Sequence, residues 1–573
     1  MGKDQPSAPH PDDPDALIAE ARLKGPGATL AARRAAVLAE VRDPALAREA
    51  LALAVQMEPR DPAPRLALAR LHAEAGNLDA ARAEASLVLK DEVDEAARAR
   101  AAFLLGEIAR FRNEDDARGF YETTRRIEEA LLARDRSDPT ATRWFARARG
   151  RLAELDAAAG EFDRARTGAE GALALLYGCA SQIGETQVIA ADIADGEMRM
   201  AAFDLDNGNA NSARRRLNAA IQRYEALAIT ETMEPHWRAV LADAWTLAAE
   251  ADYVRGAKPD ARAAIDKALQ ARLGLASHFG EAWALAGTWR VRAALLAAID
   301  DPGSATESLA HARVIAERLY AAAHGSEPQA RFLVHTMLDQ ADHALRGRDL
   351  ITGRDAADSA RKVCEAFASI EGIGPIWFAE AASCWDRLGE TARLAAVSSQ
   401  VQDAFERSVQ FRRMALSADP QNARFKRNLA AGLIKAGEAA LAAGAPQTAR
   451  AAFAESTSLR IQLADGAPKD AATAHMLAVA LERLGLASRA CGDTQGARAA
   501  WEEELDLTSR IFGDDNNLEA LRFRAIVEGH LAGLGGADAD TRRRSALSRL
   551  DTLAQAGVLS AQEAALRKQL WSN

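Results

Sequence analysis

A seven-residue phrase that returns at a fixed interval constrains this chain more than any other feature. It consists of Gly, four variable residues, Ala and Arg, and several copies start 48 residues apart, as Gly160, Gly208 and Gly256 do. A period of this size is typical of stacked arrays in which each unit buries its apolar face against its neighbours. We therefore expect a repeat protein. The phrase begins at six glycines: Gly76, Gly160, Gly208, Gly256, Gly444 and Gly492.

The composition favours helices over strands. Hydrophobic residues make up 49% of the 573 residues but aromatic residues only 5%, so the apolar content is mainly Ala and Leu. The chain also exceeds the length at which a single compact core keeps growing. Its net charge of −10 is small for this length and does not suggest a polyanionic partner, so we expect no nucleic-acid ligand.

Each phrase predicts a helix, a glycine turn and a second helix. The Gly stands where the first helix ends, because a left-handed backbone is needed there and a side chain would be penalised. Before the Gly comes an apolar and small pair such as Leu484-Gly485, and after it an apolar side chain such as Trp501. Small residues facing large ones are what close helix packing requires.

The chain resembles the tetratricopeptide repeat family. In its first part, Pro59 ends one unit, and Gly76, Ala81 and Val88 occupy the turn and packing positions of the next. Further on, Trp385-Asp-Arg-Leu-Gly389 reproduces the family's opening phrase. The resemblance implies an all-α fold, an α-solenoid in which tetratricopeptide-like hairpins form a right-handed superhelix. The 48-residue period is similar to that of long-period bacterial arrays and implies helices about two turns longer.

The repeat pattern suggests four segments. Residues 1–27 are expected to form a disordered, Pro-rich tail, and residues 28–95 two repeats of the usual 34-residue length. Residues 96–516 are expected to hold the long-period repeats, although the turn phrase degenerates after Gly256. Residues 517–573 read as a weaker pair of capping helices, which such arrays need to remain soluble.

The arginines and tryptophans supply the candidate partner-binding residues. The Arg of each phrase could reach a partner, but local ion pairing or coverage of apolar surface is the plainer interpretation. Six of the nine Trp lie between residues 237 and 385, where they could line a binding groove or simply wedge between hairpins. The candidates for partner binding are Trp245, Trp289, Arg214 and Arg262. The recurring arginines are Arg82, Arg166, Arg214, Arg262, Arg450 and Arg498.

The sequence favours neither a metal site nor a cofactor. His335, Asp339 and His343 share one helical face, but the two histidines are about 12 Å apart along the axis, too far for one ion. The four cysteines show no Cys-x-x-Cys spacing, which favours a reducing compartment. The polar N-terminus and the lack of a long apolar window predict a cytoplasmic protein without membrane insertion.

These observations leave three functional hypotheses. The first is a non-enzymatic scaffold or adaptor that recruits a protein partner, of unknown identity, through the concave face of the superhelix. The second is a sensor that responds to a peptide or small ligand and controls a separate effector such as a kinase, a protease or a TIR-type protein. The third, a metal-dependent enzyme, rests only on the His335 face. The sequence sets no expectation for the oligomeric state.

Overall fold

The protein consists of helices joined by short turns. The structure, a computed structural model, describes residues 14–23, 28–40, 43–90, 94–112, 114, 116–159, 161–230, 234–275, 279–322, 326–466, 471–512 and 518–572. These ranges contain 26 α-helices and no β-strand. The expected all-α class, an α-solenoid of helical hairpins, is confirmed.

The helices alternate along the chain with turns of a few residues. In order they are α1 (Pro14–Arg22), α2 (Ala28–Ala39), α3 (Pro44–Met57), α4 (Pro62–Glu74), α5 (Leu78–Lys90), α6 (Glu95–Phe111), α7 (Ala117–Arg134), α8 (Pro139–Ala158), α9 (Phe162–Ile183), α10 (Gln187–Asp206), α11 (Ala210–Thr230), α12 (Glu234–Val254), α13 (Lys258–Leu273), α14 (Phe279–Ala298), α15 (Pro302–Ala322), α16 (Glu327–Arg346), α17 (Leu350–Ala368), α18 (Ile376–Leu394), α19 (Ser398–Ala418), α20 (Ala423–Ala442), α21 (Pro446–Gly466), α22 (Ala471–Ala490), α23 (Thr494–Phe512), α24 (Leu518–Gly533), α25 (Ala539–Gln555) and α26 (Ala561–Ser572).

The chain divides into two compact units, Met1–Leu319 and Tyr320–Asn573. In both units the helices pair into hairpins, in which an even-numbered helix (here an A helix) is followed by an odd-numbered one (a B helix), from α2/α3 to α24/α25. Consecutive A helices contact each other, as α10 and α12 do in the first unit and α16 and α18 in the second. Consecutive B helices make no comparable contacts among the described residues, so the A helices form the more closely spaced layer of each unit.

The helices lengthen where the repeat period does. Helices α4 and α5 have 13 residues each, whereas α8 to α11 have 20 to 22. The difference is about two turns of helix, as the period implied. Helix α13 is an exception, with 16 residues.

The hairpin turns share one backbone geometry even where the glycine phrase is lost. The phrase glycines that the structure describes have φ between +74° and +81°, while Gly160 lies outside the described residues. Asp300, Arg348 and Ala396 also have positive φ and continue the series. From Gly208 to Gly492 the spacing of these positions is 48 residues, except for the 44-residue step from Gly256 to Asp300 that contains the short α13. The repeat therefore continues through the region where the sequence phrase degenerates.

Large rings pack onto glycines within the hairpins. The rings of Trp501 and Phe453 are fully buried, and a Cβ added at Gly485 or Gly437 would collide with them. The expected pairing of a small residue on the A helix with a large one on the B helix is thus how these hairpins close.

The N-terminal segment differs from the expectation of disorder through residue 27. Residues 14–22 form α1, and its Leu17, Ile18 and Ala21 are buried in a cluster with α2 and α3. These apolar residues share one face of a helix, so packing onto the first hairpin offsets the entropy of ordering the segment. Residues 1–13 and 24–27 lie outside the described part of the chain.

Candidate functional site

The recurring arginines bind carboxylates within the chain. The Nε atom of Arg214, on α11, donates to both carboxylate oxygens of Asp252, on α12, at 3.0 Å. Asp252 is 1% exposed, so this pair is a buried connection between one hairpin and the next. We call the series of such pairs the arginine ladder. The other members are Arg82–Glu114, Arg118–Asp156, Arg166–Asp204, Arg262–Asp301 and Arg450–Asp493.

The Arg and Asp residues of the ladder recur at a regular spacing that can be read from the sequence alone. Three of its pairs, those of Asp156, Asp204 and Asp252, join an Arg to an Asp 38 residues later. The three aspartates are themselves 48 residues apart and are 1% to 5% exposed. Arg118 escaped the sequence analysis because no Gly starts its phrase. The recurrence of the aspartates could have revealed both partners.

Two predicted partner-binding residues are therefore engaged inside the chain. The Arg214 side chain is only 18% exposed and is held by Asp252. Arg262 is more accessible, at 45%, and its Nη1 lies 2.8 Å from Oδ2 of Asp301. Their suggested role in partner contact stays a prediction, and only Arg262 presents substantial surface for it.

Three tryptophans occupy one position of the repeat. Trp245, Trp289 and Trp385 each lie 11 residues before a turn residue with positive φ, namely Gly256, Asp300 and Ala396. All three are half-buried. The sequence analysis named Trp245 and Trp289 as candidates for partner binding but did not place the three tryptophans at one repeat position. The turns at residues 300 and 396 carry no glycine, so the repeat register of Trp289 and Trp385 could not be read from the phrase.

The rings of Trp245 and Trp289 pack against B helices. The Lys267 ammonium of α13 lies 4.1 Å from the Trp245 ring centroid, and the Arg214 guanidinium of α11 lies 5.8 Å from it. Trp289 stacks on His311 of α15 with centroids 4.6 Å apart. The two tryptophans thus contact side chains of the B helices, and the suggestion that they bind a partner stays a prediction.

A cleft of about 810 Å³ surrounds Trp385 in the second unit. Its walls come from the start of α17, the end of α18 and the start of α19. Ile351 on α17 is 77% exposed, and Leu388 and Val397 continue the apolar wall. Trp385 is fixed in place because its Nε1 donates to Glu365 at 2.9 Å. We call this the Trp385 cleft.

Three charged side chains of this cleft, Asp358, Arg361 and Asp403, form ion pairs, whereas Arg354 and Asp355 form none among the described residues. Asp358 accepts hydrogen bonds from Arg361 and forms an ion pair with Lys362. Burial alone raises the pKa of Asp358, but Lys362 and Arg361 outweigh it and lower that pKa. Arg354 is exposed and lines the cleft, and among the described residues it has no hydrogen bond or ion pair. Asp355 and Asp403 are exposed at the rim.

Charged residues of the A layer pair across neighbouring A helices. In the first unit, Arg199 Nε donates to Glu154 at 2.7 Å. In the second, both Nε and Nη2 of Arg387 donate to Asp342, at 3.0 and 2.8 Å. These pairs neutralise charges that a partner would otherwise meet on that surface.

The histidine of the proposed metal face belongs to the same pattern. His335 Nε2 lies 3.0 Å from a carboxylate oxygen of Glu380 on α18. Burial alone raises the pKa of Glu380, but the hydrogen bond and charge of His335 lower it overall. In the part of the chain that the structure covers, no group of three or more His, Cys, Asp or Glu side chains could hold a metal ion.

Two of the four cysteines meet in the second unit. The Sγ atoms of Cys364 on α17 and Cys384 on α18 are 3.8 Å apart, and both residues are fully buried. Their mutual hydrogen bond and their burial raise the pKa of the Cys364 thiol. The scattered sequence positions gave no indication of this pair.

None of the described helices combines the length and the apolar character needed to cross a bilayer.

Comparisons with known proteins identify the repeat. The profile of the tetratricopeptide repeat family matches residues 38–103. No curated protein matches the chain. Among solved structures, the apo form of RapI is 9% identical and aligns over 71% of this chain and 99% of its own, with a TM-score of 0.42.

Two further structures resemble the chain at similar levels. Yeast Tom70 is 12% identical over 91% of this chain and 96% of its own, with a TM-score of 0.37. A signal transduction ATPase with a tetratricopeptide repeat sensor, from Pyrococcus horikoshii, is 13% identical over 86% of this chain and 72% of its own, with a TM-score of 0.39. At these scores the likenesses carry no functional argument. The profile match assigns residues 38–103 to the tetratricopeptide repeat, and the helical hairpins along the rest of the described chain are similar in form to that repeat.

Proposed function

We propose that this protein is a non-enzymatic scaffold that recruits a protein partner. Protein–protein interaction and sensor-type roles are what the tetratricopeptide fold suggests. The small net charge of −10 supports a protein rather than a nucleic acid as the partner.

The observation that carries this proposal is the Trp385 cleft. Its volume of about 810 Å³ can receive side chains of a partner, and its walls combine exposed apolar surface with an unpaired cation. The wall contributed by α17 has a capped helix start, since the Asp349 carboxylate accepts a hydrogen bond from the Thr352 amide. A preformed cleft costs little entropy when a partner binds.

The layer of A helices, whose neighbouring members contact one another, is the other surface for recruitment. Its charges already pair between helices, as Arg387 and Asp342 do, so a partner there would have to share or displace those bonds. This comparison supports the Trp385 cleft as the first surface to test. Trp245 and Arg262 on the side of the B helices remain secondary candidates.

A photo-crosslinking experiment on the full chain tests the scaffold. We would place p-benzoylphenylalanine at Ile351 in the cleft and, as a matched control, at Ile229, an isoleucine of α11 that is 85% exposed. We expect one protein to be captured in cells from Ile351 but not from Ile229, and to bind the purified chain. Equal capture from both positions, or capture from neither, would contradict recruitment through this cleft.

A sensor is the second candidate, and the size of the cleft supports it. Small-molecule sites commonly occupy about 300–1,000 Å³, a range that includes this cleft. A small ligand that binds one-to-one and raises the melting temperature of the purified chain would favour the sensor over the scaffold. A metal-dependent enzyme would instead require activity that a chelator abolishes.

A further inference from the structure

One arginine in register with the ladder has no carboxylate partner among the described residues, and it lies in the Trp385 cleft. Arg354 stands six residues after the turn residue Arg348, just as Arg214 stands six residues after Gly208. The residue 38 positions after Arg354 is Ala392. At the matching position the three regular ladder pairs have a buried aspartate, such as Asp252. Ala392 is also buried, at 7% exposure, so the position is the same but the carboxylate is missing.

The corresponding cleft of the first unit shows what a complete ladder does there. That cleft is lined by Leu152 and Asp156, the counterparts of Leu388 and Ala392, and its volume is about 560 Å³. Asp156 accepts from Arg118 at 2.7 Å and lies 3.1 Å from Arg164. In the second unit, the cleft with the missing carboxylate is larger, about 810 Å³, and its Arg354 is unpaired within the described chain.

We propose that a partner protein completes the ladder, by placing the carboxylate of an Asp or Glu side chain against Arg354 in the Trp385 cleft. This inference rests on the proposed scaffold function and names the chemistry of its partner segment. Arg is suited to this role because its planar guanidinium binds a carboxylate through two parallel hydrogen bonds.

The other residues of the cleft limit which partner segments can bind there. Ile351, Leu388 and Val397 offer apolar surface beside Arg354, so residues flanking the acid should be aliphatic or aromatic. Asp355 and Asp403 at the rim repel further negative charge. The partner segment is therefore a short stretch with a single carboxylate among apolar side chains, rather than an acidic run.

The first test restores the missing carboxylate within the chain. Ala392→Asp is expected to pair with Arg354 and to raise the melting temperature of the full chain by about 2 °C. In an Arg354→Gln background the same substitution buries an unpaired carboxylate and is expected to lower it. If Ala392→Asp lowers the melting temperature equally in both backgrounds, the two positions do not meet and the inference is overturned.

The second test measures binding with a display library of random linear peptides. Selection on the wild-type full chain is expected to enrich peptides with one Asp or Glu among apolar residues. These peptides should bind Arg354→Gln and Ala392→Asp about tenfold more weakly or worse, because a charge-assisted pair is lost or already satisfied. Arg427→Gln, which removes an exposed arginine of α20 outside the cleft, should bind them as the wild type does.

The outcomes separate this inference from the scaffold proposal. Peptides that bind the wild type, Arg354→Gln and Ala392→Asp equally well would overturn the carboxylate inference but leave recruitment standing. Enrichment of basic or purely apolar peptides, or of none, would also overturn it. Crosslinking from Ile351 that survives in Arg354→Gln would retain the scaffold and exclude this chemistry for its partner.

Discussion

Replacing Glu504 with Ser is expected to stabilise the second unit at neutral pH. Glu504, on α23, is 0% exposed, and neither of its carboxylate oxygens has a hydrogen-bond partner among the described residues. At the matching positions 48 and 96 residues earlier stand Ser456 and Ser408, whose hydroxyls donate to the carbonyl oxygens of Ala430 and Ala382. A Ser at position 504 would occupy the equivalent position of its repeat without burying a carboxyl group.

The effect should depend on pH with a known sign. Burial, reinforced by Glu482, raises the pKa of Glu504 well above its ordinary value. The folded state therefore keeps a proton that the unfolded state releases above about pH 4.3. Stability then falls as pH rises, by about 1.4 kcal/mol per pH unit, until pH reaches the folded pKa. E504S removes this loss of stability. The unfolding equilibrium constant of the wild type, divided by that of E504S, should therefore grow about tenfold from pH 5 to pH 6.

Hydrogen exchange followed by mass spectrometry can measure this change in stability for individual helices of the full chain. The protection factors of amides in α22 to α24 should differ between E504S and the wild type by a ratio that increases about tenfold over that pH unit. The His530 ring, which stacks on Trp501 of the same helix as Glu504, is present in both proteins and so cancels in the ratio. Glu503→Ser, which removes an exposed carboxylate from the same helix, is the matched control and should give a constant ratio.

A constant ratio for E504S would refute the reasoning. It would mean that Glu504 is ionised in the folded state at pH 5, and hence that its carboxylate is solvated or paired despite its burial.

Three other substitutions should change stability by amounts that melting curves and the same exchange measurement can resolve. Ala396→Gly should stabilise the α18–α19 turn by about 0.5–1 kcal/mol, because φ is +57° there and a side chain is penalised. Gly485→Ala should destabilise the chain by about 1–3 kcal/mol, since its Cβ would collide with the buried Trp501 ring. Asp386→Asn should cost about 3 kcal/mol because it leaves the largely buried Arg412 without its carboxylate. Burial alone raises the pKa of Asp386, but Arg412 and a neighbouring lysine hold it below the ordinary value, so this contribution is present above about pH 3.9 and is lost as pH falls.

Each of these changes has a control in the same kind of environment. Ala395→Gly, one residue before the turn at φ −80°, should destabilise rather than stabilise. Gly119→Ala, where a Cβ meets nothing within 4 Å, should be neutral or stabilising. Asp403→Asn removes an aspartate that is 66% exposed and should have little effect. If a control matches its test variant in sign and size, the local explanation for that variant is wrong.

The periodic phrase was enough to predict the helical hairpins but not every turn. A Gly followed by Ala-Arg marks a left-handed turn because Gly alone adopts that backbone without penalty. Asp300, Arg348 and Ala396 adopt it too, because the packed helices on either side hold the strained turn in place. The sequence predicted repeats through residues 96–516, but without the glycine phrase it did not fix which residue forms each of these three turns.

The candidate site was predictable in its residue types but not in its location. The arginines and tryptophans were identified, yet the Trp385 cleft depends on Ala392, a residue whose importance lies in the carboxylate it lacks. Such a gap becomes visible only after the turn at residue 348 places Arg354 in register with Arg214 and the turn at residue 396 places Ala392 in register with Asp252. The segment 14–22 was missed for a simpler reason, since a short apolar face next to a Pro-rich stretch is weak evidence for a packed helix.

The arginine ladder also shows where this protein could gain or lose a repeat. Arg214 and Asp252 both lie between the turns at Gly208 and Gly256, so a stretch cut from turn to turn contains both ends of their hydrogen-bonded pair. A stretch that begins and ends in the linkers between hairpins separates the arginine from its aspartate. Duplication or deletion of turn-to-turn segments would therefore keep every buried aspartate neutralised, and we expect new copies to arise with their boundaries inside hairpins.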